Sequence, residues 1–418
     1  MFALVDCNNF YASCEKIFNP KLKNEAVVVL SNNDGCVIAR SKEAKKLDIK
    51  MGAPIFEYKE LIKKKIIHIF SSNFTLYGNM SQRVMKTLES FLFPMEIYSI
   101  DEAFLDLYSA NLTGKRDLLN LANNIKEKVY KWTGVEVSVG IAKTKTLAKV
   151  AAHIAKKNRG YFVLTEKNDI ENILKKTALD DIWGIGHRLK KRLYKLGVYS
   201  GYDLAMKDSS YIQKYLSVNV HKTALELNQI KCFESEKTPP SKQSICSSRS
   251  FAKKIENLED LEKAISSFIS IAAKKLRNQK MHTNFISVFI TTSFHSKDPF
   301  YSNSCQIILS NPTSYTPDLI TYAKKGLKKI FKKDFLYKKA GIILSDFTDE
   351  TFSQRDFFSK LNEKNKDVLM KVIDKINLKA DKKAVFFAAE RIDTKYKSSS
   401  QMRSFKYTTS WDELLSVK

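Results

Sequence analysis

Ile97-Tyr-Ser-Ile-Asp-Glu-Ala-Phe-Leu105 sets two adjacent carboxylates, Asp101 and Glu102, between two apolar runs. Both runs are short and rich in β-formers, so the segment reads as a strand hairpin lying in a sheet. A third carboxylate, Asp6, ends a similar run, Met1-Phe-Ala-Leu-Val5. An ionised carboxylate at a buried strand is costly unless something compensates it. Divalent cations are the leading compensation, and oxygen ligands without a nearby His or Cys set favour magnesium over zinc. Two magnesium ions about 3.5–4 Å apart, bridged by carboxylates, form the usual apparatus for in-line displacement at phosphorus. Taken singly, each site also has a plain reading. Asp-Glu is a common hairpin turn, and a strand-ending aspartate is often a cap.

Composition narrows the partners. Lys and Arg number 71 against 45 Asp and Glu, a net charge of +26 over 418 residues. Such an excess points to a polyanion, and nucleic acid rewards lysines and arginines distributed along a backbone. A general solubility bias toward lysine is the competing explanation. The 44% hydrophobic content is that of a folded globular chain, long enough for about two to four domains. The six cysteines form no C-x-x-C pair and the six histidines are scattered. Reduced thiols and no structural zinc are expected. No apolar run approaches a membrane span, and no basic region precedes the short N-terminal apolar segment, so a soluble cytoplasmic chain with no membrane partner is expected.

Along the chain, residues 1–165 alternate strands and helices as an α/β or α+β module. Val27-Val-Val-Leu30 and Cys36-Val-Ile-Ala39 flank Ser31-Asn-Asn-Asp-Gly35, whose Asp-Gly is expected to supply the positive φ of a hairpin. Helices are expected near 74–92, 115–131 and 144–157, with a strand at Glu136-Val-Ser-Val-Gly-Ile141. Residues 166–232 read as helical. There Gly184 and Gly186 separate two helices ahead of Lys190, Lys191 and Arg192, a helix-hairpin-helix pattern suited to the DNA backbone, or an ordinary αα-hairpin with a solvated basic face. The proline-containing stretch at 233–243 reads as a linker.

From 244 to 348 the order is β-α-β-β-α-β, with Leu258, Leu261, Ile265, Phe268, Ile269, Ala272 and Leu276 on one helical face. Residues 349–418 look less regular. Within them Gln354, Phe357 and Phe358 pair two aromatics with a glutamine, either as an anchor for a partner's pocket or as part of a local core.

Four segments in order resemble the signatures of Y-family translesion DNA polymerases: Phe2-Ala-Leu-Val-Asp-Cys-Asn-Asn-Phe-Tyr-Ala-Ser13, Tyr98-Ser-Ile-Asp-Glu-Ala-Phe104, Val139-Gly-Ile-Ala-Lys-Thr-Lys-Thr-Leu-Ala-Lys149 and Trp183-Gly-Ile-Gly186. Ser31 to Arg40, Lys50-Met-Gly52 and Tyr407-Thr-Thr-Ser-Trp-Asp-Glu-Leu-Leu415 look like the UmuC branch of that family, and the likeness runs essentially end to end.

The resemblance implies a multidomain α+β, right-hand polymerase: palm with inserted fingers at 1–165, helical thumb at 166–232, little finger at 244–348, and a C-terminal tail. It implies error-prone, template-directed deoxynucleotidyl transfer without proofreading, serving damage tolerance and SOS mutagenesis. Asp6, Asp101 and Glu102 match the family's metal-binding and catalytic acids, and the backbone carbonyl of Cys7 completes a site for two Mg2+ ions. Tyr11 matches the steric gate, the ring that collides with a ribonucleotide 2′-hydroxyl; it also reads simply as packing under the first strand.

Lys156 matches a triphosphate contact. Arg40, Lys42 and Lys45 fall in the triphosphate region, with lysine where other branches carry tyrosine and arginine. Lysine brings a point charge where arginine brings a fork. Gln354, Phe357 and Phe358 match a β sliding clamp peptide. The other implied partners are primer-template DNA, deoxynucleoside triphosphates, a UmuD′ dimer and a RecA filament, in a bacterial, nucleoid-associated setting. Two rivals are a non-catalytic DNA-binding scaffold, which has no reason to keep three close acids, and a nucleotide cyclase, for which the basic C-terminal half is superfluous.

Overall fold

The structure, a computed structural model, describes residues 1–108, 114–235, 241–351, 363–380, 383–390 and 400–414. Gln354, Phe357 and Phe358 lie outside the described residues. The chain forms two compact units: Met1–Ser31, Gly35–Pro239 and Gln401–Lys418 make one, Asn32–Asp34 and Pro240–Ser400 the other. Among the described residues no helix is long and apolar enough to cross a membrane.

The first unit runs β1 (Phe2–Cys7), α1 (Phe10–Ile17), β2 (Ala26–Leu30), β3 (Val37–Arg40), α2 (Lys42–Lys46), α3 (Lys59–Lys63), β4 (Ile67–Ser71), α4 (Phe74–Glu89), β5 (Met95–Ile97), β6 (Glu102–Asp106), α5 (Lys115–Thr133), β7 (Val137–Ala142), α6 (Lys145–Ala155) and β8 (Tyr161–Leu164). Its main sheet has the order β5-β6-β1-β7-β8. The central strand β1 is buried along its whole length because both faces are covered. Ala3, Val5 and Cys7 join a core with α4 and α5, whereas Phe2 and Leu4 join one with α6 and the following helices. By the same alternation, Asp6 looks toward α6. Gly140 of β7 admits α6 at close range: a Cβ there would stand 2.1 Å from the Ala152 nitrogen, so no larger residue fits.

A smaller sheet, β3-β2-β4, pairs β2 antiparallel with β3 and parallel with β4. The turn between β2 and β3 departs from the sequence expectation. Its positive φ values belong to Asn33 (63°) and Asp34 (51°), while Gly35 sits at −86°. Asn and Asp tolerate the left-handed region, so a three-residue 3-10 turn forms without using the glycine's freedom.

Among the described residues five helices follow in this unit: α7 (Lys167–Lys176), α8 (His187–Lys195), α9 (Gly201–Met206), α10 (Ser209–Tyr215) and α11 (Val218–Leu227). Ile182 and Ile185 are buried between α7 and α8, with Gly184 at φ +87° making the tight turn and Gly186 serving as the N-cap of α8.

The second unit carries β9 (Ser244–Ile255), α12 (Leu258–Asn278), β10 (Met281–Thr291), β11 (Ser302–Thr313), α13 (Thr316–Ile330), β12 (Tyr337–Asp349) and α14 (Glu363–Lys379). Its antiparallel sheet has the order β11-β10-β12-β9. Leu261, Ile265, Phe268, Ile269, Ala272 and Leu276 are all buried in its core, with Leu258 at the margin. The strands extend past their apolar centres into polar residues such as Lys253 and Ser302, because ladder hydrogen bonds continue where one sheet face meets water. The C-terminal region is more regular than its sequence suggests. Its 17-residue helix α14 is fixed to α12 by Arg277, whose Nε and Nη2 donate to Asp374 at 2.7 and 3.1 Å.

Candidate active site

The three acids meet at one end of the β1–β6 ladder. Asp6 and Glu102 are direct cross-strand partners, and the N–H of Cys7 donates to the Asp101 carbonyl at 2.8 Å. Like charges directly opposite each other in a ladder repel. Two lysines answer that repulsion: Lys156 Nζ lies 2.8 Å from Asp6 Oδ2, and Lys149 Nζ lies 2.8 Å from Glu102 Oε2. Asp101 instead accepts from the Ser99 hydroxyl at 2.6 Å.

Compensation is incomplete at Asp6. Burial, aided by neighbouring Glu102 and opposed by Lys156, pushes its carboxyl up to about 7. Glu102 goes the other way. Burial raises it, but hydrogen bonds from Lys149 and Asp6, with the two lysine charges, hold it below its ordinary value. Added positive charge at the rung would favour the ionised form of Asp6.

Among the described residues no three His, Cys, Asp or Glu side chains stand together as a formed metal cluster; Lys156, Lys149 and Ser99 engage Asp6, Glu102 and Asp101. The donor set nonetheless fits hard divalent cations. It offers carboxylate oxygens on adjoining backbone positions, and lysine ammonium groups already stand where positive charge is required.

The flanking groups converge on the same place. Tyr11, in the first turn of α1, follows Asn9, whose φ of 50° turns the chain sharply out of β1. Its ring stacks on Tyr77 at 4.4 Å and 16° and meets Phe74 edge-on at 6.1 Å. Burial and then the nearby Asp101 charge push its phenol up, which puts Tyr11 within electrostatic reach of the acids. Phe10 is the fully packed residue of that turn and Tyr11 is only half-buried. Lys45 is shifted down by burial and by Arg40 and Lys156, with Asp6 acting oppositely, so these cations share one field beside Asp6. Arg40 is anchored by a hydrogen bond to the Ile49 carbonyl. Lys42 is exposed on α2.

In the helical hairpin Lys191 and Arg192 are exposed, but Lys190 pairs with Asp180 at 2.9 Å.

Lys149 was not singled out by the sequence reading, although a signal was present. Lys145, Lys149 and Lys156 fall at i, i+4 and i+11, one face of a helix and its cap. The face is extended by aromatics. Lys149 Nζ lies 4.5 Å from the Tyr98 ring and 5.5 Å from Trp183, and the Trp183 indole donates to the Tyr98 hydroxyl at 3.0 Å.

Residues 5–153 match the impB/mucB/samB family and residues 242–357 its C-terminal domain; 167–198 match the family's HHH motif, and 367–417 match a domain of unknown function. Protein UmuC of Salmonella typhimurium strain LT2 is 41% identical over 424 residues, covering 100% of each chain. The chain belongs to the impB/mucB/samB family. DNA polymerase IV of Saccharolobus solfataricus is 34% identical over 199 residues, 46% of this chain and 55% of that polymerase. A solved Y-family DNA polymerase chimera superposes with a TM-score of 0.67 at 23% identity, covering 84% of this chain and 100% of its own. The multidomain α+β polymerase fold expected from the sequence is thus the fold of this chain.

Proposed function

We propose that this Y-family polymerase carries out error-prone deoxynucleotidyl transfer on damaged, primed DNA, without proofreading, in SOS mutagenesis at the bacterial nucleoid. The observation that carries the reading is the Asp6–Glu102 rung with Asp101 beside it, held in cationic surroundings within this fold. Asp6, Asp101, Glu102 and the Cys7 carbonyl would hold two magnesium ions. Bound there, the ions would lower the pKa of a primer 3′-hydroxyl and neutralise charge developing on the triphosphate.

The chain's own residues supply the rest. Arg40, Lys45 and Lys156 share a field suited to the triphosphate, with Lys42 on the neighbouring exposed helix face. Lys156 exchanges its contact with Asp6 for phosphate as the nucleotide enters. Tyr11 sits under the sugar and rejects a 2′-hydroxyl by collision. Gly184, Gly186, Lys191 and Arg192 meet the duplex backbone, with Lys190 contributing once released from Asp180. The clamp peptide at Gln354, Phe357 and Phe358, a UmuD′ dimer and a RecA filament complete the assembly.

The decisive experiment is extension of a primed template with magnesium and four deoxynucleotides, comparing the native chain with Asp101→Asn. Activity in the first, with a loss of at least roughly a thousandfold in the second, is expected. Equal rates would remove the two-metal reading.

A further inference from the structure

The segment that follows the second unit returns to the first and reaches the aromatic wall around Tyr11. Met402 takes the Ser71 N–H on its carbonyl at 3.0 Å and donates its own N–H to the Ser71 hydroxyl at 3.1 Å, extending the chain along the end of β4. Buried Asn73 then serves two elements at once. Its Oδ1 caps α4 by accepting from the Leu76 N–H, while its amide nitrogen reaches the Ser404 carbonyl at 3.1 Å, the Ser404 hydroxyl at 3.0 Å and the Phe405 carbonyl at 3.2 Å.

From Ser404 the contacts run inward. Its hydroxyl donates to Glu15 Oε1 at 3.1 Å, and the same oxygen accepts from the Tyr77 hydroxyl at 2.5 Å. Tyr77 is fully buried, and its opposite end is the ring stacked on Tyr11. Beyond Ser404, Tyr407 stacks on Phe18 at 4.9 Å and 13°, just past the end of α1. The tail thus grips the two helices, α1 and α4, that carry Tyr11, Phe74 and Tyr77.

A close-packed interior transmits such fixation, because a ring in van der Waals contact cannot shift without its neighbour. Glu15 is suited to the link. It is 2% exposed and among the described residues it accepts from the Tyr77 and Ser404 hydroxyls, so burial raises its carboxyl and the group acts as a directional hydrogen-bonding hub.

We propose that Met402–Tyr407 is a positioning strap for sugar discrimination: through Ser404, Asn73 and Glu15 it fixes Tyr77, and Tyr77 fixes the Tyr11 ring that meets the nucleotide sugar. This gives the C-terminal part of the domain of unknown function a role at the nucleotide site. The inference rests on Tyr11 acting as the steric gate.

The test uses the full chain carrying Ser404→Ala with Asn73→Ser, which keeps an N-cap side chain on α4 while removing the strap's anchors. Tyr11→Ala and the conservative Ser404→Thr accompany it. The readout is the ratio of deoxyribonucleotide to ribonucleotide incorporation efficiency, from which a general loss of folded protein cancels. The strap variant should lose about tenfold in that ratio with deoxyribonucleotide efficiency held within about twofold, and Ser404→Thr should retain it.

An unchanged ratio in the strap variant, where Tyr11→Ala lowers it, overturns the strap alone; an unchanged ratio in Tyr11→Ala overturns the gate reading beneath it. Amide hydrogen exchange provides a readout without turnover. Release of the strap should speed exchange severalfold across residues 10–15 and 74–80, and unaltered exchange there also overturns the proposal.

Discussion

Asp6 and Glu15 are both buried carboxylates of the first unit, yet their surroundings differ in kind. Asp6 faces another acid across the ladder and is met by the Lys156 ammonium group; Glu15 meets the hydroxyls of Tyr77 and Ser404. A cationic partner can be exchanged for a metal ion or a phosphate, so the first arrangement is suited to chemistry. Hydroxyl partners are short and directional, so the second is suited to holding position. Burial alone therefore does not mark a functional carboxylate. The nature of the compensating group separates the two.

The strongest challenge to this contrast is removal of each charge. Asp6→Asn should abolish deoxynucleotide transfer, by at least roughly a thousandfold, while leaving the melting temperature unchanged or slightly higher, because it relieves the repulsive rung with Glu102. A variant that melts far below the native chain would make Asp6 structural, as Glu15 is argued to be.

A smaller effect is expected from Lys149→Met, which keeps most of the apolar stem but deprives Glu102 of its cation. Incorporation efficiency should fall by roughly 10- to 100-fold with the fold retained. Native kinetics would show that Lys149 serves only its aromatic neighbours, Tyr98 and Trp183.

The smallest effect concerns pH. The folded chain holds the Glu15 proton above the ordinary value of 4.5, where the unfolded chain has released it. The folded state then binds more protons, so stability from this group falls as pH rises from about 4.5 through its raised folded value. Glu15→Gln should flatten that part of the dependence, read as melting temperature against pH. An identical slope in both proteins would mean that Glu15 ionises freely.

Much of this molecule is legible in local pattern. The apolar face from Leu258 to Leu276 predicts α12 and its buried side, and the spacing of the runs predicts both the carboxylate hairpin and the β-α-β-β-α-β order. Alternation also indicates that Asp6 and Glu102 share a face once β1 and β6 pair. The lysine face of α6 was present in the sequence, but its spacing equally describes a solvated helix. Gly140 distinguishes the cases only when β7 and α6 are seen in contact. The β2–β3 turn misled because Asp-Gly usually places glycine at positive φ, whereas here Asn33 and Asp34 take that role. Nor did the tail's polarity reveal α14, which gains stability from Arg277 on another helix.

The sequence by itself determined the strand and helix periods, the basic character and the order of motifs, since each is written within a few residues of chain. Only tertiary structure decided which groups compensate the buried acids. Lys156 lies 150 residues from Asp6 and Ser404 lies 389 from Glu15. Partnerships across such distances leave no periodic trace, because they are selected by packing and desolvation after the elements have formed.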